Sequence, residues 1–568
     1  GGSLSTRGEN YRLHIWPDQL VFNNVRWSVE PDNYFQYGAD GVMAHDMKIY
    51  NDSSYIKIQS VGDVAGAPLD FSFSNFDLGM LSGIADSSEQ LLSGLVNGNF
   101  LLNDMKTSTF SADLDVQGLS VLGKKYGNLE LNAVNEEKGL YDIKLGLLGA
   151  GNGIALDGYY KVEGNVKELH FDADIDSAAF SLVEPFARPY IRDLKGSMNA
   201  KLRIRGTTDA PSINGIIRFD SARFIVSYTN SELMLGSEPV TLDDSGIQFN
   251  SFAVIDPLGN KAFLNGNLYT TDYIDYQFAL NAKATDFVAM NSTKEVKSEY
   301  YGMIRLDFLA SIRGSIKQPE INIALKLREG SDFNYIYQRF DTSFNSEEGL
   351  VEFIDMDQRL NLLLMEENEE EPLLSGYSIT VIAEVNDKSQ FTIIVDPVAG
   401  DKLTVNGNGS FNFEIAPSGR MSLSGRYEIS QGNYSLTLYE LVKKQFVLEK
   451  GSFINWSGDL INADIDIKGH MDVRTSPYPL IGAQVAGSSE EQQAQYKNPL
   501  DFDVYLIMQD KLLEPEISFD IQLDPKDAGA LDGMVDAKLL ELQKLEGEMN
   551  KQVFSLMVLG TFVAEDPT

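Results

Sequence analysis

The chain has 568 residues, with 46 Lys+Arg against 83 Asp+Glu, a formal net charge of −37, and no cysteine. That balance argues against nucleic acid, which needs clustered Lys and Arg, and against docking flat on an anionic membrane. The absence of cysteine excludes disulfides, thiolate metal sites and cysteine nucleophiles. Apolar residues at 43% and charged residues at 23% are those of folded protein, and 48 Gly beside 18 Pro suit many short strands joined by tight turns. No run of 18 apolar residues is present, so the sequence offers no helical bilayer span.

Strict alternation of apolar and polar residues runs from about Tyr11 to Leu523. Successive strand side chains point to opposite faces, so each such run predicts one apolar and one polar face. In chain order the clearest are Phe110 to Val116, Phe171 to Asp176, Ile321 to Leu327, Ile379 to Val385, Ile461 to Lys468, Phe502 to Leu506 and Ile517 to Leu523. Turn signals such as Asn97-Gly98, Asn152-Gly153 and Asn214-Gly215 fall between strands. Alternation alone fits a closed sandwich core as well as an open apolar face.

Repeats are present but widely spaced. Gly206-Thr-Thr-Asp-Ala-Pro211 is echoed by Gly314-Ser-Ile-Lys-Gln-Pro319, and more loosely, without the glycine, by Leu513-Glu-Pro515-Glu-Ile517. Each proline stands just before a strand, where its missing N–H costs no ladder bond.

Helices are expected to be few. Phe180 to Leu194 has helical spacing broken by Pro185 and Pro189, and Leu81 to Leu95 is a second short candidate. Ala528 to Asn550 carries the strongest stripe, Leu531, Val535, Leu539, Leu542, Leu545 and Met549. Glu366 to Glu371 reads as a solvated loop and Ser476 to Asn498 as a polar loop of low order. The closing run Val553 to Val563 is apolar on both faces. It reads as a buried strand or the packed end of the preceding helix, or else as an edge that pairs with a partner.

Catalytic signatures are missing. His14, His45, His170 and His470 are scattered singly, and neither a Gly-x-Ser-x-Gly elbow nor a Walker loop occurs. Gly407-Asn-Gly409 precedes a strand, which fails the context of a dinucleotide loop. Asp172, Asp174 and Asp176 lack the glycine and distal glutamate of a calcium loop and read as a solvated strand face, as do Asp464 and Asp466. The expectation is a non-enzymatic protein with no cofactor and no metal.

The region from Gly400 to Lys468 is the most specific. It reads Gly400-Asp-Lys-Leu-Thr-Val-Asn-Gly-Asn-Gly-Ser, then Gly425-Arg-Tyr-Glu-Ile-Ser-Gln-Gly-Asn-Tyr434, then Gly451-Ser-Phe-Ile-Asn-Trp456-Ser-Gly-Asp459 and Ala463-Asp-Ile-Asp-Ile467-Lys. This resembles the C-terminal conserved domain of the TamB family, as does Asn550-Lys-Gln-Val-Phe-Ser-Leu-Met-Val-Leu559. Asp193-Leu-Lys-Gly196 and the Gly206–Pro211 echoes resemble its AsmA-like repeats. The likeness is strong over Leu373–Val563 and weaker before it.

The resemblance implies an all-β, elongated trough (the β-taco) of many short, mostly antiparallel strands with an apolar inner groove and a few short helices. It implies AsmA-like repeats over 1–372, the conserved trough over 373–526, and a helix plus apolar terminal segment over 527–568. It also implies a portion of a longer protein of the Gram-negative periplasm, anchored in the inner membrane by a segment outside this chain. The expected partners are phospholipid and a TamA-type outer-membrane barrel, in lipid movement or in outer-membrane protein assembly. Strand parity then gives the groove lining: Ile321, Ile323, Leu325, Ile379, Val381, Val405, Phe411, Phe413, Leu423, Tyr427, Leu436, Ile465, Ile467, Val504, Ile517, Phe519 and Ile521. Val553, Phe554, Leu556, Val558 and Phe562 are the expected docking residues.

Overall fold

The computed structural model describes the chain except residues 18–19, 23–24, 83–91, 105–108, 188–189, 297–298, 337–375, 439–441, 461, 513 and 565–568. The acidic run Glu366–Glu371 and most of the Leu81–Leu95 segment lie outside the described residues. The fold is all-β and mostly antiparallel, of about 30 strands with few short helices. It divides into two compact units, residues 1–228 with 232–281, and residues 229–231 with 282–568.

The first unit opens with a small sheet in the order Gly2–Arg7, Asn10–Ile15, Tyr34–Gly38, Met43–His45. Its main ladder then runs through successive antiparallel neighbours from Val25–Val29 to Ala210–Val226. The alternation read from the sequence is the reason. Short polar turns return the chain beside itself, and the period of two keeps most apolar side chains on one face.

The proline echoes are one device used three times. Gly206 stands opposite Pro211, with Thr207 paired to Ala210 across a two-residue turn. Gly314 stands opposite Pro319, with Ser315 paired to Gln318. Both glycines are left-handed, at φ +89° and +84°, and a Cβ on either would lie under 3 Å from a carbonyl oxygen across the turn. The third copy places Asp510 opposite Pro515. Asp510 takes the same left-handed conformation, φ 74°, without being glycine.

In the second unit Tyr300–Ser315 pairs with two short strands lying end to end, Gln318–Leu327 and Asp332–Ile336. These pair in parallel with Ser378–Val385 and Gln390–Asp396, the two parallel pairings of the unit among the described residues. Both then pair with the long strand Asp401–Ile415. Met421–Leu438 follows, then a second end-to-end pair, Val442–Leu448 and Phe453–Gly458, then Asp464–Thr475, Leu500–Lys511 and Pro515–Leu523. Among the described residues of this unit, the closed circuits in the pairing involve short strands lying end to end between long neighbours. Among the described residues Pro515–Leu523 pairs with Leu500–Lys511 alone, so the ladder ends there.

Short helices accompany the sheets, and the later ones cap this end of the second unit. We label them in chain order: α1 Gly79–Ser82, α2 Glu184–Ala187, α3 Tyr478–Val485, α4 Glu490–Tyr496, α5 Met534–Leu542 and α6 Glu546–Leu559. One expectation is corrected, and for the closing run the buried helical alternative is the one found. The segment 476–498 is ordered into α3 and α4. Leu480, Ile481 and Val485 of α3 are buried, and Ser489 caps α4 reciprocally with Gln492. The run Val553–Val563 is mostly helix, with Gly560 at the left-handed C-terminal position. An apolar run with no period of two, preceded by Glu546 and Glu548 at a helix start, is a buried helix and not a strand. The stripe Leu531–Met549 is divided between a 3-10 turn, α5 and α6, which leaves Leu545 exposed at the break.

Candidate functional site

The apolar face of the second unit is built in registered rows. Ile312, Ile321, Ile379 and Ile415 are directly opposite one another across adjacent strands. Ala310, Ile323, Val381, Phe413 and Leu423 form the next row, and Phe308, Leu325, Ala383, Phe411 and Gly425 the third. The parallel crossing preserves the alignment, because a whole-strand shift of two residues keeps the face while a shift of one would lose it. Ile321, Ile323, Leu325, Ile379, Val381, Phe411, Phe413 and Leu423 are therefore brought together, each half-buried. Asn322, Ala324, Lys326, Ile382 and Glu384 alternate with them and are exposed on the opposite face. Among the described residues, Phe411 alone of these three rows packs against the helix-containing core.

Aromatic rings continue the face along the ladder. Tyr300, Phe333, Phe391, Tyr427, Phe411 and Trp456 contact in series, with centroids 5.7–6.5 Å apart. Tyr427 is buried and its hydroxyl has no hydrogen-bond partner among the described residues. Burial holds that phenol protonated, far above its ordinary range. Burial likewise raises Tyr434, with Asp401 adding to it.

A bulge explains why residues of both parities share this face. Asn406 pairs with Gln431 and Gly407 with Ile429, which leaves Ser430 unpaired. Tyr427 precedes that extra residue, while Tyr434 and Leu436 follow it, and all three belong to or pack on the same core.

Beyond the bulge the face is closed. Val405, Tyr427, Ile465, Ile467, Val504 and Ile521 are all buried, in one cluster with Leu480 and Ile481 of α3, Val535, Leu539 and Leu542 of α5, and Met549, Val553, Leu556 and Met557 of α6. The Phe502 ring meets Phe562 edge-on at 4.9 Å. Phe519 is half-buried against this cluster, whereas Ile517, at the strand end opposite Met508, is 50% exposed. Each fully buried aliphatic side chain contributes on the order of 1.5–3 kcal/mol. The helices are thus an integral core and not a loosely seated cover.

The expected docking residues divide in the same way. Val553, Leu556 and Phe562 are inside the chain's own core, Val558 is half-buried and Phe554 is 41% exposed. The tail is fixed by Gln552, whose Nε2 donates to Val563 O at 2.8 Å while its Oε1 accepts from Val563 N at 3.0 Å.

Sequence reasoning passed over the apolar face of the first unit, where Gly98, Leu114, Leu131, Leu145 and Leu156 form one row and Val96, Val116, Leu129, Leu147 and Ile154 the next. The signal was available, since Leu129-Glu-Leu-Asn-Ala133 and Ile143-Lys-Leu-Gly-Leu147 alternate as cleanly as Ile321 to Leu327. Asp172 and Asp174 lie on the polar face, where Arg205 reaches Asp172 at 2.8 Å and Lys201 reaches Asp174 at 3.3 Å. Among the described residues no group of three or more His, Asp or Glu is placed to hold a metal ion. Among them, too, no helix is long and apolar enough to cross a membrane.

No curated protein and no solved structure matches the chain. The family model described as the TamB C-terminal domain matches residues 251–566. That span holds the three registered rows, the aromatic series and the helix-closed core, and it is more than half of the chain. The chain belongs to the TamB family.

Proposed function

We propose that this chain is a non-enzymatic, bridge-like lipid transfer protein. It would carry phospholipid between the inner and outer membranes along its apolar face and so serve outer-membrane biogenesis. TamB-family proteins are cell-envelope proteins of Gram-negative bacteria related to outer-membrane assembly or lipid transport. The observation that carries the finer reading is the row Ile323–Val381–Phe413–Leu423. It is apolar, registered across four strands, half-buried and uncovered by any described helix. A closed core would bury such residues. An acyl chain laid along them gains roughly 0.8 kcal/mol per buried CH₂, and equivalent positions from strand to strand give it no deep trap.

The test is transfer between vesicles. Purified chain should move fluorescent phosphatidylethanolamine from donor to acceptor vesicles. Ile323→Asp with Val381→Asp should abolish the transfer while leaving the circular dichroism unchanged. Equal transfer by the double variant would contradict the proposal.

A second reading is supported by the end of the ladder. Pro515–Leu523 has one strand neighbour among the described residues, and Ile517 at its start is half-exposed. Such an edge suits an assembly factor that holds a TamA-type barrel by β-augmentation. A single cysteine at Ser518 should then capture a barrel protein in cells, and capture should fail when the edge carries Gln522→Pro.

A further inference from the structure

The apolar face of the first unit is graded in polarity from one set of strand ends to the other. Four registered rows cross the strands Leu92–Asp104, Thr109–Val121, Lys124–Asn135, Leu140–Gly149 and Asn152–Glu163. The outermost comprises Leu102, Phe110 and Asn135 opposite one another, and Tyr141 opposite Tyr160, the two groups joined by the contact of the Phe110 and Tyr141 rings. The next, Phe100, Ala112, Ala133, Ile143, Gly158, is mostly small. The remaining two rows, described above, are aliphatic apart from Gly98.

The outer rows carry a continuous line of rings. Phe71 meets Phe100 at 5.6 Å, Phe100 meets Phe110 at 5.3 Å, Phe110 meets Tyr141 at 5.9 Å and Tyr141 meets Tyr160 at 5.7 Å. Asn135, opposite Phe110, is fully buried, donates Nδ2 to Leu140 O at 2.7 Å, and has no partner for its Oδ1 among the described residues. Tyr141 and Tyr160 are half-buried, and neither hydroxyl bonds another described residue.

The opposite strand ends differ. There the 3-10 turn Phe180–Val183 and α2 are tied down. The Tyr126 hydroxyl donates to Leu182 O at 3.0 Å, and Lys124 pairs with the buried Glu184 at 2.9 Å. One set of strand ends is thus lined by rings and bare hydroxyls, and the other is strapped.

Rings with a polar tip favour the boundary between hydrocarbon and polar groups. We propose that this line of rings is the headgroup-side boundary of a bound diacyl phospholipid. Its acyl chains lie on the aliphatic rows, and its ester and headgroup region crosses the Phe110–Tyr141–Tyr160 edge, away from the strapped ends. The inference rests on the lipid reading above and adds a fixed orientation to it.

Two photoreactive phosphatidylethanolamines test it on the full chain, one with a diazirine on the headgroup and one with a diazirine midway along an acyl chain, adducts being mapped by mass spectrometry. The headgroup probe should mark Tyr141, Tyr160 and residues 136–138 over residues 122–125 and 148–152, and the acyl probe should mark Leu131 and Leu145. Tyr141→Leu with Tyr160→Leu should cut the headgroup preference about three- to tenfold and leave the acyl adducts in place. Headgroup adducts spread evenly, or gathered at the strapped ends, would overturn the orientation while leaving lipid binding intact. Absence of both kinds of adduct from the apolar face would overturn the orientation and the lipid reading together.

Discussion

The ring of Tyr427 lies over Gly407 of the neighbouring strand, so close that a Cβ at Gly407 would stand 2.9 Å from Tyr427 Cζ and 2.2 Å from Glu428 O. Glycine is required there by the close approach of a ring and a backbone, and not by a left-handed φ. Gly407→Ala should cost about 1–3 kcal/mol. Tyr427→Phe should be neutral or stabilising by about 1 kcal/mol, because it removes a buried hydroxyl without a partner. Denaturant unfolding followed by Trp456 fluorescence, in a Trp16→Phe, Trp27→Phe background, reads both. Loss of stability in Tyr427→Phe would show that the hydroxyl is satisfied in solution.

The third proline turn carries an aspartate where its two counterparts carry glycine. Asp510 is left-handed without the freedom of glycine. Asp510→Gly should therefore stabilise by about 0.5–1 kcal/mol. Gly206→Asp, the reverse change in the first copy, should destabilise, read by thermal melting.

Leu556 of α6 is fully buried among strands and helices, whereas Phe554 two residues earlier is 41% exposed. Leu556→Ala should cost about 2–5 kcal/mol and Phe554→Ala less than about 1 kcal/mol. Similar losses from both, measured by the same Trp456 unfolding, would mean that α6 does not pack as described.

Asp472 and Asp503 face each other across adjacent strands. Burial pushes the Asp503 carboxyl above its ordinary range, Asp472 and Asp524 add to this, and His470 opposes it. A carboxyl whose folded pKa is raised favours folding when protonated, and that contribution is lost as pH rises through the folded value. Asp503→Asn should thus raise the melting temperature at pH 7, and the gain should vanish below the ordinary carboxylate range. A gain equal at both pH values would contradict the electrostatic cause.

Much of the fold was legible because a period of two is written into every strand. Parity chose the side of Ile321, Ile323, Leu325, Ile379 and Val381 without any knowledge of their neighbours. It did not reveal what covers a face. Ile465 and Ile467 alternate as cleanly as Ile321 and Ile323, yet three helices far along the chain bury the first pair and not the second. Those helices were obscure for physical reasons. Val553 to Leu559 is apolar at every position but Ser555 and so shows no amphipathic stripe, and the apolar residues of α3 lie in a segment rich in Ser, Gly and Gln. The bulge at Ser430 is invisible in the sequence, since one extra polar residue changes no composition.

Photo-crosslinking in cells with single probes at Ile323, Asn322 and Ile465 addresses the central claim most directly. Ile323 is half-buried on the apolar row outside the helix-containing core of the described residues, Asn322 is its neighbour on the exposed polar face, and Ile465 has the same parity inside that core. Phospholipid adducts at Ile323, with none at Asn322 or Ile465, are the result expected of a lipid-carrying face that stops at the helix-closed core. Lipid at none of the three, or equally at Ile323 and Asn322, would contradict it.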